Sequence, residues 1–409
     1  MKSYPNISFT NTKNAFAYKT DMQLKKTRFI FSLMQLNWLV SIATKVTPLM
    51  MKIGLPLNGV IKKTIFSQFC GGITLEDTAM VAETIGKYQV QTVLDYGIEG
   101  KDGEENYDAA CVEMLRVINF AATQIHIPFV SIKLTGYARF SLMQKMDEQM
   151  KIADGNLYER FYKVVEKLSL SEKNEWDKVF FRVMKICSLA AEKKVGLFID
   201  AEESWIQAPI DALCMQLMEK FNQQQVIVFN TFQHYIHDRL SFLKWSYQTS
   251  LEKKFILGAK LVRGAYMEKE RKRAMDLGYT SPIHPDKESC DKDYNAGIEF
   301  CIQHIENVKL IVASHNEYSN LYAVEGLQKK GLPVNHPHVH WSQLYGMSDN
   351  ITFNLAKAGC SVSKFLPFGP IKDVIPYLMR RAQENSSIGG QTGKELSYIK
   401  KELQRRGGD

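Results

Sequence analysis

The sequence has no C-x-x-C pair, no G-x-G-x-x-G after its first apolar run, no Pro-rich linker and no uninterrupted apolar tract of membrane-spanning length. Each absence removes a class. The seven cysteines (Cys70, Cys111, Cys187, Cys214, Cys290, Cys301, Cys360) are odd in number and widely scattered, which excludes a disulfide scaffold and predicts a reduced, intracellular protein. The most apolar early stretch, Phe29 to Thr44, is broken by Gln35, Asn37 and Ser41 and is shorter than the ~20 residues a span needs, so no transmembrane helix is expected. The missing glycine fingerprint argues against a dinucleotide-binding open sheet. The nearest glycine cluster, Gly389-Gly390-Gln391-Thr392-Gly393-Lys394, fails the P-loop spacing as well, and residues 391–409 read as a flexible tail.

What is present describes a folded chain. Of 409 residues, 45% are hydrophobic and 11% aromatic, enough for a large core and too much for intrinsic disorder. The net charge is +8, but residues 1–60 hold eight Lys/Arg against a single acid, Asp21, so nearly all of the excess sits there. A neutral body does not predict nucleic-acid binding. A basic, apolar-rich N-terminal arm fits an anionic membrane surface or partner, the alternative being a plain helical extension.

Past residue 85 one rhythm repeats: a short aliphatic run, a polar connection, a helical stretch, another run. The runs are 90–97, 129–136, 195–202, 225–233, 256–266, 309–316, 339–344 and 362–368. Continuous apolar runs suit strands buried on both faces, and helical spacers supply the crossovers of parallel pairing. Eight such units predict an α/β fold of the distorted (β/α)₈ barrel type over residues 86–390, with a helical preamble at 1–85 and a helical insertion at about 137–194.

In a barrel the chemistry gathers at the C-terminal ends of the strands. Polar residues that are costly inside apolar runs do collect there: Glu99, Lys133, Asp200-Ala201-Glu202-Glu203, Gln233, Lys260, Arg263, Tyr266 and Ser314-His315-Asn316. Lys133 and Asp200, of opposite sign on successive strands, are expected to pair, as a site or as a structural ion pair. Lys260 alone would also suit a Schiff-base aldolase. After the last run, Tyr377, Arg380, Arg381 and Glu384 share one helical flank, where two guanidinium groups can grip a carboxylate; a salt-bridged exposed face is the bland reading. His336, His338 and His340 alternate, but Pro337 and the lack of a nearby carboxylate or cysteine argue against a metal site, and none is expected.

The segment Gly258-Ala259-Lys260-Leu261-Val262-Arg263-Gly264-Ala265-Tyr266, with Glu270 and Arg273-Ala274, resembles the flavin-dependent proline dehydrogenase family, as does Tyr377-Leu378-x-Arg380-Arg381-x-x-Glu384-Asn385. Val130 to Leu134, Asp200-Ala201-Glu202, Ala313 to Asn316 and Leu344-x-Gly346-Met347 follow in the same order, so the resemblance covers about residues 65 to 388. It implies a barrel that holds FAD without a Rossmann fold and oxidises L-proline to Δ1-pyrroline-5-carboxylate by hydride transfer to flavin N5. By resemblance Arg380, Arg381 and Lys133 bind the proline carboxylate, Glu99 pairs with Arg380, and Glu384 steadies Arg381. Asp200, Tyr266 and Leu344 line the ring pocket, with Asp200 holding Lys133, while Lys260 lies near flavin N5. Gln233, Arg263, Gly264, Ala265, Ser314, His315 and Asn316 map onto flavin-binding positions.

Two departures stand out. Many bacterial members have arginine where Lys260 stands, and the family commonly places a tyrosine at Phe365, whose hydroxyl edges the substrate pocket. The second makes 4-hydroxyproline dehydrogenase the closest alternative; a flavin-free barrel sensing amino-acid carboxylates is the non-enzymatic one. The expected partners are a membrane quinone, reached through the basic arm, and a separate pyrroline-5-carboxylate dehydrogenase. The expected location is the cytoplasm, peripheral to the inner face of the membrane, or the mitochondrion in a eukaryote.

Overall fold

The computed structural model describes residues 7–36, 38, 40, 58–97, 102–387 and 391–407. Its centre is a closed barrel of eight strands in sequence order: β1 Val90–Tyr96, β2 Phe129–Lys133, β3 Gly196–Asp200, β4 Val228–Gln233, β5 Leu257–Val262, β6 Val308–Ala313, β7 Val339–Leu344 and β8 Val362–Phe368. Pairing is parallel throughout the described registers, for example Lys133 beside Asp200 and Leu344 beside Phe365. β4 and β8 are buried along their whole length, as strands covered on both faces must be. Eight parallel strands separated by helices close the sheet, so the open doubly wound alternative does not apply.

The chain divides into two compact units, Gly100–His340 and Met1–Glu99 with Trp341–Asp409. In the first, β2 to β6 alternate with helices, and Phe140–Ile152, Leu157–Lys167 and Leu170–Lys193 lie between β2 and β3. Asn156 and Ser169 cap the latter two, each closing a box with a glutamate three residues on. Phe129, Phe198 and Phe229 stack and edge against one another, and the buried His340 packs edge-on against Phe129. Of the three alternating histidines only His340 lies in β7; His338 Nδ1 bonds the carbonyl of Ile305 at 2.7 Å.

The second unit carries the chain ends. Helix Asp21–Met34 buries Leu24, Ile30, Phe31 and Met34, and shares one apolar cluster with Phe69, Val374, Leu378 and the buried Leu396, Ile399 and Leu403. The last three belong to a helix, Gln391–Arg405, where the sequence reading placed a flexible tail. The glycine cluster suggested the tail, yet Thr392, Leu396, Ile399 and Leu403 recur at helical spacing and are buried. Beyond its end Arg406 ties the two chain ends together, donating to the carbonyls of Lys19 at 2.8 Å and Phe16 at 2.9 Å and to Asp21 at 2.9 Å. Among the described residues no helix is long and apolar enough to cross a membrane.

Candidate active site

Lys260 is the fourth residue of β5 and only 5% exposed, and its Nζ donates to Asp200 Oδ1, at the end of β3, at 2.5 Å. The same ammonium lies 5.2 Å above the ring of Phe198. Lys133, at the end of β2, stands beside Asp200 in register and is half-buried. The ion pair seen for Asp200 is therefore with Lys260, two strands along, where the sequence reading expected Lys133. Ile199 pairs with Asn230 and Thr231 with Lys260, so Asp200 and Lys260 lie on one register line with side chains on the same face of the sheet and the short Thr231 between them, within reach of the long lysine.

Just past the strand ends a second group forms around Glu202, which is 3% exposed. Its carboxylate accepts from Thr135 N–H at 3.0 Å and from Thr135 Oγ1 at 2.5 Å, and its carbonyl accepts from Gln233 Nε2 at 2.7 Å. Glu202 thus fastens the segments that follow Lys133 and Asp200 to the end of β4. Burial pushes its carboxyl up to about 7, against the lowering by Thr135 and Lys133 and with a further rise from Glu203. The sequence reading quoted Glu202 within its motif and gave it no role; an acid two residues past a strand end, on the side chain's own face of the pleat as Asp200, was the available signal. Its neighbours are matched too: Glu203 pairs with Lys269, and the buried Glu270 accepts from Ser204 N–H and Oγ, both at 2.6 Å.

Arg263, just past β5, is held on all sides. It donates to Asp291 Oδ1 and Ser314 Oγ at 2.7 Å each and to Ser319 Oγ at 2.9 Å, and stacks 4.3 Å from the centre of the Tyr294 ring. Gly264 follows with φ +142°, and a Cβ there would lie 2.3 Å from the Tyr235 ring, so glycine is required for conformation and for space. Gly264 and Ala265 are exposed and Tyr266 half-buried. After β6, Asn316 caps the helix Glu317–Lys329 by accepting from Ser319 N–H, Ser314 Oγ accepts from Asn316 N–H, and His315 between them is half-buried. A fixed guanidinium, an exposed small-residue turn and a capped helix N-terminus suit the anionic diphosphate and close backbone approach of FAD.

In the other unit, Leu344 ends β7 half-buried and Phe365 lies beside it on β8 with 8% exposure. The helix Ile371–Ser387 follows β8 and carries Arg380, half-buried, and Arg381, buried with its guanidinium 5.3 Å from the Tyr377 ring centre. Glu384 falls on this helix, but its side chain, like all of Glu99, lies outside the described residues.

A fold of this kind, polar at the strand ends and lacking the dinucleotide fingerprint, is that of barrel enzymes. The proline dehydrogenase family model matches residues 79–394, and this chain belongs to that family. It is 33% identical to proline dehydrogenase 1, mitochondrial, of Dictyostelium discoideum, over 97% of this chain and 74% of that protein. It is 30% identical to hydroxyproline dehydrogenase of Xenopus laevis, over 85% of this chain and 79% of that one. Among solved structures, proline utilization A from Bdellovibrio bacteriovorus shares the fold with a TM-score of 0.71 at 18% identity, across 92% of this chain; the chain spans 42% of that longer one.

Proposed function

We propose that this protein oxidises L-proline to Δ1-pyrroline-5-carboxylate, the first step of proline catabolism, with FAD bound at the ends of β4 to β6. The observation that carries the reading is the buried Lys260–Asp200 pair at the strand ends, in a chain of the proline dehydrogenase family. FAD, when bound, supplies the hydride acceptor. Arg380 and Arg381 grip the substrate carboxylate, with Lys133 adding a third positive charge. Tyr266, Leu344 and Phe365 hold the ring so that the carbon beside nitrogen faces the cofactor, with the amine neutral. Lys260 keeps a positive charge where negative charge accumulates, and Asp200 fixes its ammonium. Glu202 holds the β2, β3 and β4 ends in one arrangement. Arg381→Met is expected to raise KM for L-proline by about 100-fold, the loss of a bidentate charge-assisted contact, at unchanged FAD content. An unchanged KM would count against this assignment.

The absence of a hydroxyl at Phe365, together with the Xenopus relative, favours hydroxyproline as the second substrate to compare. Electrons pass on to a membrane quinone, and the surface that meets the bilayer is the outer face of helix Asp21–Met34. There Met22 (82% exposed), Phe29 (59%) and Leu33 (36%) point outward beside exposed Lys25 and Lys26. Replacing Phe29 and Leu33 with serine should abolish co-sedimentation with anionic vesicles; retained binding would remove this surface from the account. The site of action is then the membrane-facing cytoplasm or, as in the names of the Dictyostelium and Arabidopsis thaliana relatives, the mitochondrion.

A further inference from the structure

β8 carries a buried charge that the reaction does not use. Lys364 is fully buried in mid-strand, and its ammonium faces the turn that follows β7. Nζ lies 2.9 Å from Asp349 Oδ1 and donates to the carbonyls of Met347 at 2.5 Å and Leu344 at 3.4 Å. The other oxygen of Asp349 accepts from Tyr18 Oη at 2.8 Å and lies 3.4 Å from Lys19 Nζ. From the C-terminal helix, the buried Glu395 accepts from the backbone N–H of Ser348 at 2.5 Å. The turn thus held is a strained one: Ser348 has φ +51°, and Gly346, φ +79°, would drive a Cβ to 2.0 Å from the Gln68 carbonyl. Its N-terminal end is Leu344, and Tyr345 N–H donates to the carbonyl of Phe365 at 2.9 Å.

We propose that Lys364 and Glu395 are positioning residues for the turn Leu344–Asp349, and through it for the ring-contacting Leu344 and Phe365. Lys364 holds the turn from β8, and Glu395 clamps it to the C-terminal helix. The inference rests on the proposed roles of Leu344 and Phe365. Neither positioning residue touches substrate, so their effect falls on KM. Burial, then Asp349, raises the Glu395 carboxyl to about 7, opposed by Lys364 and Lys19, with Tyr18 facing the same cluster. Above that pH the carboxylate makes a charge-assisted bond to Ser348; below it the acid is a weaker acceptor, and KM rises.

The experiment compares Glu395→Ala, Glu395→Gln and a control at the far end of the same helix, Glu402→Gln, whose carboxylate is held by Arg405, Arg406 and Thr12. Glu395→Ala should raise KM for L-proline about tenfold with kcat within about twofold, and speed hydrogen exchange in the peptide spanning residues 344–352. Glu395→Gln keeps only a neutral acceptor for Ser348 N–H, as the protonated acid does, and should hold KM at the parent's raised acid-pH level across the whole pH range. Glu402→Gln should lower the melting midpoint and leave KM alone. Unchanged exchange and KM in Glu395→Ala, or an equal KM rise in Glu402→Gln, would overturn the inference. If the parent does not turn over proline yet Glu395→Ala loosens the turn, the substrate reading fails and the positioning role stands.

Discussion

Replacing Glu202 with glutamine tests the electrostatics of the strand-end cluster. The carboxyl is raised from 4.5 to about 7, with burial as the leading cause. An acid that binds its proton more tightly in the folded state makes stability fall as pH rises: the loss begins above the unfolded value of 4.5 and is complete above about 7. At about 1.36 kcal/mol per tenfold change in proton affinity, the full swing is roughly 3 kcal/mol. Glutamine removes it and gives up one of the two acceptor contacts to Thr135, which costs about 1 kcal/mol at every pH. The variant should therefore be less stable than the parent at pH 5 and more stable at pH 8. Chemical denaturation of both proteins at closely spaced pH values reads the crossing directly. Curves that run parallel from pH 5 to 8 would refute the reasoning, whatever their separation.

Lys260→Met strands the Asp200 carboxylate in the barrel and should cost about 3–5 kcal/mol, with a slower reduction of bound flavin; the double variant with Asp200→Asn should recover much of the stability and none of the rate, as denaturation and stopped-flow spectra would show. Gly264→Ala forces a Cβ into the Tyr235 ring at a positive φ and should cost about 1–3 kcal/mol and lower the FAD content of the purified protein. Phe365→Tyr places a hydroxyl where a ring substituent would sit, and the ratio of rates on L-proline and 4-hydroxy-L-proline should move toward proline by about tenfold.

The barrel was legible because strands buried on both faces leave continuous apolar runs, and all eight runs became strands. Asp200, Lys260 and Arg263 were legible by the same logic: a charge in or just after such a run is too costly to be idle. That rule also applies to Lys364, inside Val-Ser-Lys-Phe-Leu-Pro-Phe, which the sequence analysis gives no role; its partners Asp349 and Glu395 reach it only through the fold. The ion-pair partner of Asp200 is Lys260, two strands along the sheet, where the reading of the sequence took the adjacent strand and Lys133, because spacing along the chain does not show how far a long side chain reaches across the sheet. The pairing of the two chain ends depends on contacts such as Arg406 to Asp21, nearly the whole sequence apart, which no local pattern announces.

The central claim is tested by one anaerobic experiment: the visible spectrum of the purified protein, reconstituted with FAD, before and after L-proline is added. The account predicts a flavin band that bleaches with L-proline, and with Arg381→Met only at far higher proline concentration. A flavin band untouched by L-proline but bleached by 4-hydroxy-L-proline would transfer the account to the second substrate. A protein that takes up no flavin would contradict it outright.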